Sequence, residues 1–176
     1  SAASDVYKRQ VQYVPELGVI WMLSEEGVEL IRQYYPIPDV TWEDVIEKID
    51  EDVLDAQWGY SNQKHPDKIL PVIVGTGRYV PESILPIWEA VVEDVGMDCM
   101  HTYIGFSKFS ATLGRHNDDM DVFIVQAIGE TSYKFDSGVC HTLKPGDAIF
   151  IPAYVYHHPF SHGPRVSLSF SNNGRN

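Results

Sequence analysis

The spacing of apolar residues changes near Gly96 and divides the chain into two parts. Before that point apolar positions recur at three- and four-residue steps, which is typical of helices with one buried face. After it, short alternating segments rich in Val, Ile, Phe, Tyr and Ser predict strands. The pattern therefore predicts a mainly β protein with a helical N-terminal half.

Three helices are predicted in that half, over residues 24–33, 41–54 and 81–95. Ser24 and Thr41 stand where the caps of the first two would lie. Residues 57–68 are polar and predict a loop. Residues 69–74 predict a strand, placed at a sheet edge because Pro71 cannot donate a backbone hydrogen bond.

Eight strands are predicted after Gly96, and spacings of roughly 8–12 residues are typical of a barrel or sandwich. They cover residues 99–106, 108–113, 121–127, 131–135, 141–143, 148–152, 156–160 and 165–171. We therefore expect a helical region, residues 1–98, packed on a β-barrel core, residues 99–176, within one structural domain. Residues 1–10 show no clear period and are expected to be a leader that adds little to the fold.

Composition argues against several classes of protein. The chain has 176 residues and a net charge of −12, with scattered basic residues, which argues against binding nucleic acid or an anionic membrane. It holds no apolar run of about 18 residues that could span a bilayer. The two cysteines, Cys99 and Cys140, are expected to be reduced thiols of a cytoplasmic protein, with a disulfide left open.

A histidine and a carboxylate stand two residues apart at the head of an apolar run, as His116 and Asp118. In an extended strand, residues i and i+2 point to the same side, so the two groups can converge on one point. The pair is a candidate for two ligands of a metal ion. The alternative is a polar turn at residues 116–118, because Asn and Asp favour turns.

His157, five places after Pro152, offers a third ligand. Its spacing from Gly146 and Pro152 is similar to the second motif of the cupin superfamily, whose hairpin carries a metal-binding histidine. Tyr154 stands where that motif usually has a second glycine. His158 is the rival ligand, and since adjacent strand residues face opposite ways, only one of the two points inward. Two histidines and one carboxylate leave three adjacent positions open, a set that selects non-haem Fe(II) in enzymes that activate O₂.

The chain resembles the JmjC-type 2-oxoglutarate oxygenases, above all the cupin-like group that includes the ribosomal-protein hydroxylases. The resemblance covers about residues 100–171. It lies in His116, Asp118, Asp121, Val122, Phe123, Gln126 and Gly129, in residues 143–152 and in residues 167–170. It implies a double-stranded β-helix (cupin or jelly-roll) barrel, with Fe(II) held by His116, Asp118 and His157, and 2-oxoglutarate as co-substrate. It also implies no catalytic residue beyond the ligands, and a reaction that couples release of succinate and CO₂ to hydroxylation of a C–H bond.

The chain departs from its relatives at Thr131, where they usually carry a Lys or Arg for the far carboxylate of 2-oxoglutarate. A buried dicarboxylate still needs a cationic partner. Arg165 with Ser167 resembles the Arg-x-Ser pair of other oxygenase branches, the alternative being a surface charge. Lys134 is a second candidate, although its strand parity points it outward. Tyr103 is either a hydroxyl donor to the co-substrate or a core tyrosine.

These residues indicate an Fe(II)- and 2-oxoglutarate-dependent dioxygenase that hydroxylates a protein side chain or a small molecule. One alternative is a metal-binding cupin that is not an oxygenase, such as an isomerase or a ligand-binding module, which Thr131 favours. A second alternative is a non-catalytic relative whose barrel is an interaction surface. The acidic charge favours a neutral or cationic substrate, and the helical half has enough apolar surface for a homodimer. Both remain expectations.

Overall fold

The computed structural model describes residues 21–23, 27–36, 39–52, 59–61, 72–76 and 80–172. The strands within these ranges are β1 (Trp21–Leu23), β2 (Glu29–Ile31), β3 (Gly59–Ser61), β4 (Val72–Thr76), β5 (Cys99–Gly105), β6 (Val122–Ile128), β7 (Thr131–Phe135), β8 (Cys140–Leu143), β9 (Ala148–Ile151), β10 (His157–Ser161) and β11 (Arg165–Ser171). The helices are α1 (Trp42–Asp52) and α2 (Leu85–Val95), and a 3₁₀ turn at Glu82–Ile84 precedes α2.

The strands form two antiparallel sheets. The larger has eight strands in the order β1-β2-β9-β6-β11-β5-β4-β3, and the smaller has three in the order β10-β7-β8. Within the described part of the chain no strand ladder joins the two sheets, and an isolated bridge pairs His116 with His157. The predicted β core is therefore present as two sheets rather than as a closed barrel.

Side chains on the two faces of the larger sheet enter two separate cores. Along β6, Phe123 and Val125 join the cluster that packs against the helices. Val122 and Ile124 join a second cluster that also holds Tyr133 of the smaller sheet. Because both faces are covered, β6 is almost continuously buried.

The second and third predicted helices are confirmed over the described residues. At the start of α1, the Thr41 hydroxyl accepts from the Asp44 N–H at 3.1 Å, and the Asp44 carboxylate accepts from the Thr41 N–H at 3.2 Å. This reciprocal pair satisfies N–H groups that a helix start leaves without partners. α2 ends at Gly96, whose φ of 76° is a left-handed cap. Residues 53–54 of the second prediction lie outside the described ranges.

The first predicted helix, over residues 24–33, is wrong. Its described part holds strand β2, which pairs with β9 through Glu29 opposite Phe150. Gly27 and Gln33 both have positive φ, at 75° and 50°, and these turns stop a helix on either side. Pairing with β9 instead gives the backbone of β2 the hydrogen bonds that a helix would have supplied.

The described part of the first half is thus mixed rather than helical, and β1 to β4 extend the larger sheet. The predicted loop over residues 57–68 contains β3, so β4 is flanked on both sides and is not an edge strand. Pro71, on which the edge prediction depended, lies outside the described residues, as do residues 1–10.

Seven of the eight strands predicted after Gly96 are found within one residue of their expected ends. The strand expected at residues 108–113 is absent. The Ser107 hydroxyl accepts from the Phe109 N–H at 3.1 Å, and the Ser107 carbonyl accepts from the Ser110 N–H at 2.9 Å. This local turn uses the backbone groups that a strand would have paired.

Two further expectations concern the cysteines and the membrane. Cys99 and Cys140 are both free thiols, as predicted. Among the described residues, no helix has the length and apolar character needed to cross a bilayer.

Candidate metal centre

Two histidines from distant parts of the chain meet through their backbones. The N–H of His116 donates to the carbonyl of His157 at 2.9 Å, and the N–H of His157 donates to the carbonyl of His116 at 2.8 Å. Side chains of directly opposed residues in an antiparallel pair lie on the same face. The two rings accordingly lie together, with their centroids 4.3 Å apart.

Both rings have the same nitrogen free. Nδ1 of His116 lies 3.0 Å from the carbonyl of Gly114, and Nδ1 of His157 lies 3.0 Å from the carbonyl of Val155. Since a carbonyl can only accept, each Nδ1 carries a proton, and Nε2 is then the atom through which a neutral ring would bind a metal ion. Burial, the largest cause, lowers the pKa of His157 and so favours its neutral, ligand-competent form.

Asp118 completes a cluster of three donor atoms. Its Oδ2 lies 3.7 Å from Nε2 of His157 and 3.9 Å from Nε2 of His116. The ligand atoms of the three residues all fall within 4.8 Å of one another. Two atoms bound to one ion at about 2.0–2.2 Å can be no more than about 4.4 Å apart, so a single ion can contact Asp118 and either histidine.

Backbone contacts tie the Asp118 segment to the hairpin that carries His157. The Tyr154 N–H donates to the Asp118 carbonyl at 2.8 Å, and the Ala153 N–H donates to the Asp121 carboxylate at 2.8 Å. Tyr154 has a φ of 65°, the left-handed conformation that glycine adopts most readily. The tyrosine that replaces the usual glycine therefore still turns the hairpin.

The cluster opens on a cavity of about 210 Å³ between the two sheets. Arg165, Ser167 and Tyr103 also line this cavity, so the structure brings these three predicted residues and the three predicted ligands together. Arg165 is only 4% exposed. The expected alternative of a surface charge at this position is therefore excluded.

Arg165 lies in a network of neutral groups. Its Nη1 donates to the Ser167 hydroxyl at 2.9 Å, and that hydroxyl donates to the Gln126 side-chain oxygen at 2.9 Å. Its Nε has no partner among the described residues, and no ion pair within them includes this guanidinium. Burial lowers the pKa of Arg165, but a guanidinium remains charged in a protein. Among the described residues, this buried cation of the cavity wall has no counter-charge.

Tyr103 and Tyr133 line the same cavity as the cation and the ligand cluster. Burial raises the pKa of Tyr103, the Asp118 charge raises it further, and the Arg165 charge opposes both. Burial raises the pKa of Tyr133 to about 12, against the opposing effect of Arg165. Both hydroxyls are therefore neutral donors near neutral pH.

The remaining sequence candidates lie elsewhere. Lys134 is exposed, and it pairs with His158 on the side of the smaller sheet away from the cavity. The His158 ring instead contacts Phe160, with centroids 4.1 Å apart. Thr131 is fully buried, and its hydroxyl has no partner among the described residues.

Several cavity residues were not predicted from the sequence. They are His101, Thr112, Tyr133, Ser169 and Ser171. A signal for the serines was present, because every second residue from Arg165 to Ser171 is hydrophilic within a strand whose other residues are apolar. Thr112 gave no such signal, since it lies in an irregular segment without strand parity.

No family model matches the sequence, and no curated protein matches it. Comparison with solved structures shows that the chain shares the fold of E. coli YcfD. The X-ray structure of E. coli YcfD aligns with a TM-score of 0.65 and 12% identity, over 98% of this chain and 53% of that one. A second structure, described as YcfD, a ribosomal oxygenase from E. coli, aligns at 0.60 and 13% identity, over 98% and 51%. A third, of YcfD in complex with cobalt and 2-oxoglutarate, aligns at 0.57 and 12%, over 98% and 52%.

The likeness to these structures is one of fold, since the identity is low. This chain spans about half the length of the YcfD chains that it matches. The likeness therefore does not define the chemistry of the chain, which depends on its own side chains.

Proposed function

We propose that the chain is an Fe(II)- and 2-oxoglutarate-dependent oxygenase that hydroxylates a protein side chain or a small molecule. The observation that carries the proposal is one cavity lined by both a His-Asp-His cluster and a buried Arg165 that has no ion-pair partner among the described residues. A dicarboxylate that chelates a metal at one end and needs a cation at the other fits both features. The complex of the similarly folded YcfD with cobalt and 2-oxoglutarate adds support.

His116, Asp118 and His157 would hold the ion through two neutral imidazoles and one carboxylate. When bound, Fe(II) would supply the activation of O₂, for which this ligand set leaves adjacent positions open. Contacts within the protein orient the ligands, because both Nδ1 atoms and the backbone of Asp118 are hydrogen-bonded. Such outer contacts fix ring orientation and strengthen metal binding.

Arg165 would bind the far carboxylate of 2-oxoglutarate, and Ser167 would position the guanidinium. Burying an unpaired charge is costly, so this cation calls for an anionic ligand. Among the described residues the guanidinium has no carboxylate partner, and its residue lines the cavity. The neutral hydroxyl of Tyr103, whose pKa responds to both Asp118 and Arg165, is placed to donate to the same ligand. Arg165 thus takes over the role that Thr131 cannot fill.

The proposal is tested by titrating the protein with Fe(II) and then 2-oxoglutarate without oxygen, and following the weak metal-to-ligand absorption in the visible range. The wild type should develop this band. Because a hydrogen bond to a charged group contributes roughly 1.5–3 kcal/mol, Arg165→Met should weaken 2-oxoglutarate by about tenfold to a hundredfold. Methionine keeps much of the buried volume without the charge, and iron affinity should change little.

Lys134→Met is the matched control, since it removes a cation from the outer face of the smaller sheet. It should leave both affinities unchanged. A wild type that binds Fe(II) but never gives the band with 2-oxoglutarate would contradict the oxygenase and leave a metal-binding protein of another kind. Normal 2-oxoglutarate binding by Arg165→Met would remove Arg165 from the site.

A further inference from the structure

The inner face of β11 is polar along its whole length. Val166, Leu168 and Phe170 are fully buried and pack into the core beneath the helices. The alternate residues Arg165, Ser167, Ser169 and Ser171 all line the cavity. A strand buried on both faces normally carries apolar side chains on each. The hydroxyl side chains along the cavity therefore serve something other than packing.

The proposed co-substrate accounts for only one end of this polar face. Arg165 and Ser167 are joined to each other and to Gln126, so they form a single anion site. Ser171 lies four residues beyond Ser167, which is about 13 Å along an extended strand. Ser169 and Ser171 therefore extend beyond the anion site toward the other end of the strand.

Neighbouring elements add two more polar groups to the same wall. His101 of β5 lies directly opposite Ser169 in the strand register and also lines the cavity. Thr112 lines it from the irregular segment that leads to His116. Its hydroxyl oxygen is itself buried and has no partner among the described residues. A buried hydroxyl without a partner is costly, and turning this side chain toward the cavity would let a ligand supply the missing hydrogen bond.

Charge restricts the ligand. Among the described residues, Asp118 and Arg165 are the only lining side chains with a fixed charge, and the proposed function assigns one to the metal and the other to 2-oxoglutarate. A second buried cation or anion would find no counter-charge there. The cavity volume of about 210 Å³ is also below the roughly 300–1,000 Å³ of sites for drug-sized ligands. Together with the co-substrate it would accept one small group.

We propose that His101, Thr112, Ser169 and Ser171 form a second polar subsite, which binds an uncharged hydrogen-bonding group of the substrate such as a carboxamide. This inference rests on the proposed function, because it takes Arg165 and Asp118 to be occupied. It selects a substrate that presents a neutral polar group to the cavity, rather than a lysine, arginine or carboxylate side chain.

The test compares three probes of equal chain length that differ in charge: butyramide, butylammonium and butyrate. Their binding to the protein loaded with Zn(II) and 2-oxoglutarate is measured by ligand-observed NMR, which needs no turnover. Butyramide should bind at least about tenfold more tightly than the two charged probes. Loss of a neutral hydrogen bond corresponds to roughly a threefold to tenfold change, so Ser169→Ala and Ser171→Ala should each weaken butyramide by that factor.

Ser132→Ala is the matched control, because Ser132 is a buried strand serine outside the cavity lining, bonded to Thr142 and His162. It should leave butyramide binding unchanged. The subsite is overturned if butylammonium or butyrate binds as tightly as butyramide, or if the serine variants bind butyramide like the wild type.

The subsite and the proposed function fail in different ways. A protein that binds 2-oxoglutarate normally but not butyramide refutes the subsite alone. A protein that does not bind 2-oxoglutarate, yet binds butyramide through Ser169 and Ser171, refutes the oxygenase and retains a neutral-ligand site.

Discussion

The imidazoles of His116 and His157 are side by side because the two residues are paired through their own backbones, N–H to carbonyl in both directions. The fold itself thus brings the two chain segments of the cluster together. Oδ2 of Asp118 lies 3.7 Å and 3.9 Å from the two Nε2 atoms, which is within the separation that a single ion can span.

A preformed cluster predicts that a divalent metal stabilises the folded protein. At a free metal concentration 100 times its Kd, the free energy of unfolding should rise by about 2.7 kcal/mol. Thermal unfolding with and without Mn(II) measures this. His157→Gln should abolish the increment, whereas His158→Gln should keep it because that ring contacts Phe160 on the other side of β10. If His158→Gln abolishes the increment and His157→Gln keeps it, then His158 is the third ligand.

The backbone conformation of Tyr154 predicts that glycine at this position is more stable than alanine. Its φ of 65° is a conformation that costs a residue with a Cβ about 1–2 kcal/mol, and glycine avoids that cost. Tyr154→Ala and Tyr154→Gly both remove the exposed ring, but only glycine relieves the backbone. Chemical denaturation should find the glycine variant more stable than the alanine variant by about 1 kcal/mol, allowing for the greater freedom of glycine in the unfolded chain. Equal stabilities would mean that the turn is not strained.

At Gly129, in the turn between β6 and β7, we expect that replacing the glycine destabilises the protein. Its φ is 71°, and a Cβ there would lie 2.1 Å from the backbone carbonyl of Pro164, just before Arg165. Gly129→Ala must therefore displace the backbone, and we expect a loss of more than about 2 kcal/mol together with weaker 2-oxoglutarate binding. Chemical denaturation and the anaerobic titration measure the two effects.

Gly138→Ala is the control that separates the cost of a positive φ from the cost of a steric clash. Gly138 also has a positive φ, 88°, but a Cβ there would meet nothing within 4 Å. The variant should lose only about 1 kcal/mol, the cost of the left-handed conformation, and should bind 2-oxoglutarate like the wild type. Similar losses in the two variants would show that contact with Pro164 is unimportant.

Strand parity explains why Arg165 and Ser167, two residues apart on β11, could be predicted to share one cavity. His116 and Asp118 line that cavity as well, although His116 makes only an isolated bridge and Asp118 lies outside the strands. The same rule predicted that Lys134 points outward, where the structure has it exposed. The core strands could be found for the same reason, because their alternation is local.

Contacts made by distant segments could not be predicted in this way. Leu30 and Ile31 fit a helix or a strand equally well, and pairing with β9 decides between them. Thr112 enters the cavity from an irregular segment, where no period relates sequence to direction. Tyr133 could be placed in a strand, but its position beside Arg165 depends on how the two sheets face each other.

His141 predicts a loss of stability in mild acid that does not involve the metal centre. Burial is the larger cause that lowers its pKa, and the charge of Arg32 adds to it. Because the folded pKa lies below the unfolded value of about 6.5, the unfolded chain binds the proton first as the pH falls. The stabilising contribution of a neutral His141 is therefore complete above about pH 6.5 and is lost as the pH falls through the folded pKa.

The measurement is chemical denaturation of the metal-free wild type and His141→Gln at pH 7.5 and pH 5.5. From pH 7.5 to pH 5.5, the free energy of unfolding should fall by more in the wild type than in His141→Gln. Burial does not depend on ionic strength, whereas the partly exposed Arg32 is screened by salt. Most of this extra loss in the wild type should therefore persist in 1 M salt. If it disappears in 1 M salt, the charge of Arg32 rather than burial is its cause.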